Sequence, residues 1–216
     1  MSGKKSTLKF DQPKSFTFSK ENLKRIETIL SKYPESCKRS GIMPLLDLVQ
    51  RQNQGWIPEA AMKEIARILE TTEMAVYEVA TFYTMYHLQP IGKHHIQCCT
   101  TTPCWLRGSA DVVKAAEKKL KIKLGETTKD GQFTMSEVEC LGACVNAPMV
   151  QVNDDYFEDL SAETIEQLID DLKAGKKVTV GSQTGRIGSC AQLGPTSLGE
   201  QAKAAGVDMA EHGQEE

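Results

Sequence analysis

The chain lacks any apolar run near the about 18 to 20 residues that cross a bilayer, so membrane association is expected only through a partner, without direct insertion. It lacks a phosphate loop of the G-x-G-x-x-G or Walker type, which argues against nucleotide binding. It lacks an excess of positive charge. The 26 Lys and Arg stand against 29 Asp and Glu, for a net charge of −3, and the lysines are scattered. A nucleic-acid footprint needs a clustered basic face, so the charge balance argues against that class. The start, Met1-Ser-Gly-Lys-Lys-Ser6, has neither the apolar core of a secretory signal nor the Arg-rich pattern of a transit peptide. No convincing pair of nucleophile and base is present, so no catalytic residue is assigned.

Cysteine, by contrast, is concentrated. The chain has seven, an odd number in a protein long enough to bury its own core, which points to a reducing compartment rather than a disulfide framework. Five lie between residues 98 and 144, four of them in two tight pairs: Cys99-Thr-Thr-Thr-Pro-Cys104 and Cys140-Leu-Gly-Ala-Cys144. The 35 residues between the pairs suffice to leave the first loop, cross a helix and a strand, and return. Four converging thiolates suit a tetrahedral zinc ion or an iron–sulfur cluster. The gaps of four and three residues are easier to reconcile with two irons than with one ion, so [2Fe–2S] leads. Zinc and a disulfide or unliganded state remain open.

Around the cysteines the hydrophobic period changes. Residues 1–18 are polar and without period, and read as a flexible arm. Over 19–90 four short helices are expected. Ser19 caps the first, with Leu23, Ile26, Ile29 and Leu30 as its stripe, and Pro44 and Pro58 open the second and third. Thr72 and Glu73 start the fourth, whose stripe is Val76, Val79, Ala80 and Tyr83. Over 91–177 the order is strand (94–98), cysteine loop, helix capped by Ser109, strand (133–138), a hairpin about Asn153-Asp154-Asp155, and a last helix capped by Ser161 and stopped at Gly175. The fold class is therefore α+β: a helical bundle followed by a small sheet with helices packed on it, in the order of thioredoxin-like folds. Residues 178–216 read as an extended tail.

A reduced [2Fe–2S] centre on four thiolates carries about −3, so its surroundings must tolerate buried negative charge. Backbone amides near the helix at Ser109 and in Leu141-Gly142-Ala143 are expected to answer that need, with Gly142 letting the chain pass close to the sulfurs. Arg107 is either a charge partner or a plain surface residue. Cys98 reads as a core thiol facing away from Cys99. Cys37 and Cys190 have no neighbouring partner in sequence, and a mixed centre using His94 or His95 is disfavoured. The aromatic run Tyr77, Phe82, Tyr83 and Tyr86 reads as core or a partner surface.

Three segments go further: Tyr77-Glu-Val-Ala-Thr-Phe-Tyr-Thr-Met-Tyr86, the Cys99–Cys104 loop, and Glu137-Val-Glu-Cys-Leu-Gly-Ala-Cys-Val-Asn-Ala-Pro148. Together they resemble the family of the 24 kDa iron–sulfur subunit of respiratory complex I, over residues of about 16 to 177. The resemblance implies a helical bundle joined to a thioredoxin-like ferredoxin domain, with one [2Fe–2S] cluster held by Cys99, Cys104, Cys140 and Cys144. It also implies a 51 kDa partner subunit that carries FMN and binds NADH, an adjoining large iron–sulfur subunit, and no complete active site in this chain alone. Its place would be the peripheral arm of complex I, on the cytoplasmic face of a bacterial inner membrane or the matrix face of the mitochondrial one. The tail departs from the family: Gly185-Arg186-Ile-Gly-Ser-Cys190 is followed by a stretch with a single glycine, Gly194, before Leu198. The alternatives are an NAD-linked hydrogenase or formate dehydrogenase subunit, a free ferredoxin, and a zinc-stabilised interaction domain.

Overall fold

The computed structural model describes residues 10–186, 188 and 197–206. The chain divides into two units, one of residues 1–95 with 125–135 and the other of residues 96–124 with 136–216.

The first unit is mainly helical, and its helices begin where side chains or prolines favour a start. The Ser19 hydroxyl accepts from Asn22 N–H at the head of α1 (Lys20–Leu30), satisfying an amide the helix leaves open. A 3-10 segment, Glu35–Gly41, leads directly into α2 (Ile42–Gln52), so Pro44 lies inside the first turn rather than opening the helix. Pro58 caps α3 (Glu59–Ile68), and the Thr72 hydroxyl accepts from Ala75 N–H at the start of α4 (Glu73–Phe82). Leu45, Leu46, Val49, Ile57, Ala61, Ile65 and Val76 are wholly buried in one cluster with Ile26 and Phe18. Each such Leu or Ile contributes about 1.5–3 kcal/mol of transfer free energy.

The expected arm is in part pinned. Phe18 joins that cluster, Gln52 Nε2 donates to the Thr17 carbonyl, and Glu59 N–H donates to Gln12 Oε1. Residues 1–9 lie outside the described residues. Two expected stripe residues, Leu23 and Tyr83, are exposed, because α1 buries only Ile26 fully and α4 ends at Phe82.

Within the same unit Gly92 lies against the backbone of Phe133. A Cβ added there would come 2.6–2.9 Å from Phe133 C, N and Cα, while Gly92 N–H donates to Thr134 Oγ1. Gly92→Ala is therefore expected to destabilise by about 3 kcal/mol, the upper end for overpacking, because backbone cannot rotate aside as a side chain can. Urea unfolding checks this; a loss below about 1 kcal/mol would mean that the approach relaxes at little cost.

In the sheet the strand order is β2-β1-β3-β4-β5, with β1 His94–Cys99, β2 Phe133–Val138, β3 Val150–Val152, β4 Asp155–Glu158 and β5 Gly181–Ser182. The pairs β1–β3 and β3–β4 are antiparallel, in registers Cys98↔Val150 and Val150↔Phe157, and β5 pairs parallel with β4. Asn153, at φ 55°, and Asp154 make the two-residue hairpin between β3 and β4.

Two further helices, α5 (Thr102–Leu106) and α6 (Ser109–Leu120), follow β1, and α7 (Ala162–Lys173) follows β4. α6 and α7 pack together and are tied by Lys119 and Asp170 at 2.6 Å. Ser161 and Thr164 form a reciprocal capping box for α7, and Gly175 ends it at φ 67°. At α6 the expectation fails by one residue. Gly108, at φ 95°, takes the cap position, and Ser109 begins the helix with its hydroxyl buried and, among the described residues, without a hydrogen-bond partner.

In the expected tail, β5 is a short strand and 199–204 a helix, α8 (Gly199–Ala204). Cys190 and Gly194 lie outside the described residues.

Candidate metal centre

The first thiol pair is carried by regular structure. Cys99 ends β1 and Cys104 stands inside α5, whose first turn holds Pro103. Sequence alone suggests a loop here, since five residues are too few to display a helical period. Both thiols are nearly closed off, at 2% and 1% exposure, in a cluster with Ala147 and Met149 against which Leu141, Ala143 and Tyr156 pack.

The second pair lies on an exposed loop that closes in the 3-10 turn Cys144–Asn146. Cys140 Sγ and Cys144 Sγ are 3.4 Å apart. Gly142 between them has φ 85° and open space where a Cβ would be, so conformation rather than close approach calls for glycine.

Hydrogen bonds bring the two pairs together. Cys99 Sγ lies 3.3 Å from Thr101 Oγ1 and also interacts with the Cys104 thiol and the Leu141 amide. The Thr101 hydroxyl reaches Cys140 as well. Burial opposes ionisation of Cys99, but the Thr101 hydroxyl and amide, with Cys104 and Leu141, overcome it and hold its pKa below the ordinary thiol value. In Cys104 burial dominates, joined by Cys99, and pushes the thiol up to about 12. The Gly142 amide, with Cys144, lowers Cys140, whereas the bond to Cys140 raises Cys144. Each pair thus holds one thiol shifted down and one shifted up from the ordinary value. The amides serving the sulfurs come from Thr101, Leu141, Gly142 and Met149, not from the start of α6 as the sequence suggests.

The thiols stand as two adjacent pairs, Cys99 beside Cys104 and Cys140 beside Cys144. That arrangement, with soft donors and amide N–H groups directed at sulfur, fits a two-iron cluster.

Other candidates fall away from the site. Cys98 is buried, and burial with Glu137 and Glu117 pushes its thiol up to about 12, as befits an inert core residue. Cys37 is exposed. The His95 ring stacks edge-on against His87, and His94 tilts against Phe133. Arg107 is exposed, in keeping with a surface residue, and its Nε donates to the Ala147 carbonyl at 3.4 Å.

One participant escapes sequence analysis. Arg186, after β5, donates to the Val145 carbonyl at 2.6 Å and to Asn146 Oδ1 at 2.8 Å, and pairs with Asp159. Burial raises the pKa of Asp159, but Arg186 and the Ser182 hydroxyl hold it below the ordinary carboxylate value.

The profile of the thioredoxin-like [2Fe-2S] ferredoxin family matches residues 26–173. The chain belongs to that family. It is 62% identical over 157 residues to an NADH-quinone oxidoreductase subunit of Rickettsia felis, covering 73% of this chain and 94% of that protein. It is 49% identical over 183 residues to NADH dehydrogenase [ubiquinone] flavoprotein 2, mitochondrial, of Dictyostelium discoideum, covering 85% of this chain and 74% of that one. Among solved structures, the NAD+-reducing [NiFe]-hydrogenase in its air-oxidised state shares the fold, with a TM-score of 0.55 and 20% identity, over 62% of this chain and 23% of that one. The family fold, a ferredoxin of thioredoxin-like type, is the one the sequence leads to expect.

Proposed function

We propose that the chain is the electron-transfer subunit of the NADH dehydrogenase module of respiratory complex I, holding one [2Fe–2S] cluster on Cys99, Cys104, Cys140 and Cys144. The observation that carries this is the convergence of two thiol pairs through Thr101 and Leu141. The names of relatives 62% and 49% identical support the assignment to complex I. When bound, the cluster supplies one-electron chemistry, exchanged with the FMN of the 51 kDa NADH-binding partner; this chain alone forms no complete active site.

The chain's own residues set the conditions for that chemistry. Thr101, Leu141, Gly142 and Met149 donate to sulfur and disperse negative charge. Burial of Cys99 and Cys104 keeps water from one side. Cys140 and Cys144 are exposed, and so are Trp105, Leu106 and Val145 beside the ligands in sequence, which supports this as the face for the flavoprotein partner. In the helical unit Met74, Tyr77 and Phe82 are exposed while Tyr86 is buried, which supports a second partner surface there, and the large iron–sulfur subunit is the partner left to fill it. Among the described residues no helix is long and apolar enough to cross a membrane. As a complex I subunit the chain would sit in the peripheral arm, on the bacterial cytoplasmic or mitochondrial matrix face.

The hydrogenase likeness is of fold and keeps a subunit of an NAD-linked hydrogenase as the second reading; the large subunits that co-purify distinguish the two. The test of the cluster is spectroscopic. The full chain should be brown, bleach with dithionite and then give a single S = 1/2 EPR signal. A colourless protein holding one zinc ion overturns the proposal.

A further inference from the structure

We propose that Arg186 is a positioning residue for the metal centre, clamping the turn that carries Cys144 to the end of β4. The role rests on the cluster reading above. The guanidinium works as a fork. Nε lies 3.1 Å from both carboxylate oxygens of Asp159, and Nη2 lies 2.8 Å from Asp159 Oδ1. The same Nη2 reaches the Val145 carbonyl at 2.6 Å and Asn146 Oδ1 at 2.8 Å, on the two residues after Cys144.

Asp159 is itself held. Its side chain is 6% exposed, Ser182 Oγ donates to it at 2.6 Å, and Asp159 N–H donates to the Asn146 carbonyl at 2.8 Å. Ser182 Oγ also accepts from Arg186 N–H, so β5 fixes the backbone from which the fork extends. The clamp therefore joins three pieces of chain that sequence keeps apart: the ligand turn, the end of β4 and the segment after β5. Gly188 continues this segment beside Asn146, where a Cβ would stand 3.2 Å from Nδ2.

Without the fork, the turn keeps the Asn146–Glu158 contact at 2.7 Å and the Asp159 N–H bond, so it should persist but shift. Asp159 would be left nearly buried without its cation, a state that favours movement of the strand end toward water. A lysine could face Asp159 with its single ammonium but could not span the carboxylate, the Val145 carbonyl and Asn146 together. Arg186→Lys thus separates the shape of the clamp from its charge.

The experiment uses the full chain as wild type, Arg186→Lys and Arg186→Ala. It follows bleaching of cluster absorbance after addition of a chelator, the EPR spectrum of the dithionite-reduced protein, and far-UV circular dichroism. Loss of an outer-shell contact costs about 10- to 100-fold in metal affinity. Arg186→Ala should therefore bleach about 10- to 100-fold faster, with altered g values and an unchanged dichroism spectrum, and Arg186→Lys should fall between it and wild type. Wild-type bleaching rates and EPR spectra in both variants overturn the positioning role alone. Full recovery in Arg186→Lys overturns the clamp, since charge would then suffice. If Arg186→Ala fails to fold, Arg186→Lys decides by the same criteria. A wild-type chain without a cluster overturns the cluster reading and this role together.

Discussion

Lowering the pH from 7 to 5 should destabilise the helical unit by about 4 kcal/mol. The cause is a pair of histidines whose rings meet edge-on at 4.7 Å. Burial lowers the His87 pKa to about 4; burial, with the charge of His87, lowers that of His95 to about 3. The rings cannot readily swing out to water, because the His87 backbone is held at both polar groups. Its N–H donates to Gln50 Oε1, and its carbonyl accepts from Ile57 N–H.

The sign follows from proton counting. Below the unfolded value of about 6.5 the unfolded chain binds protons that the folded chain refuses, so stability rises with pH. It is complete above about pH 6.5 and is lost progressively as pH falls toward the folded values of about 4 and 3. At pH 5 each ring costs about 2 kcal/mol, from 1.4 kcal/mol per pH unit over about 1.5 units. Trp56 reports on this unit once Trp105, the chain's other tryptophan, is replaced by Phe. Urea unfolding at pH 7, 6 and 5 should show the decline, and His95→Gln should halve its slope. Equal stability at pH 7 and pH 5 would mean that the rings accept protons where they stand.

What sequence could and could not foretell follows from the range of each interaction. Ser19, Thr72 and Ser161 act within three residues of themselves, and each caps the helix that its position suggests. The cysteine spacing likewise picks out the two thiol pairs that the fold draws together. The short helix α5 is invisible to periodicity, so Cys104 reads as a loop residue although it sits in a helix. Gly92 and Arg186 are opaque for a different reason. Gly92 meets Phe133, and Arg186 meets Val145, each about forty positions away, and nothing in either local sequence names the partner. Ser109 shows a local rule overridden: Gly108 in a left-handed conformation ends α5 and begins α6, displacing the serine into the helix.

The four thiols differ in what surrounds them, and serine substitution should expose the difference. On the cluster reading proposed above, a serine in place of a cysteine would need its backbone to move inward, because an Fe–O bond is shorter than an Fe–S bond. Cys99 and Cys104 are fixed by β1 and α5 and packed against Ala147 and Met149, so those positions have little room to adjust. Cys140 and Cys144 lie on an exposed loop, and Gly142 between them has no atom near its Cβ position, so that segment has room to adjust. Cys99→Ser and Cys104→Ser should therefore lower cluster content by more than the about 10- to 100-fold that loss of an outer-shell partner costs. Cys140→Ser should retain a measurable fraction of the cluster, with shifted absorbance. Cys144→Ser should retain less than Cys140→Ser, because Arg186 holds the turn that would have to move. Iron per chain and visible absorbance decide the order. Equal loss at all four positions would show that the loop is as stiff as the strand and helix opposite it, and that exposure alone gives the second pair no freedom to adapt.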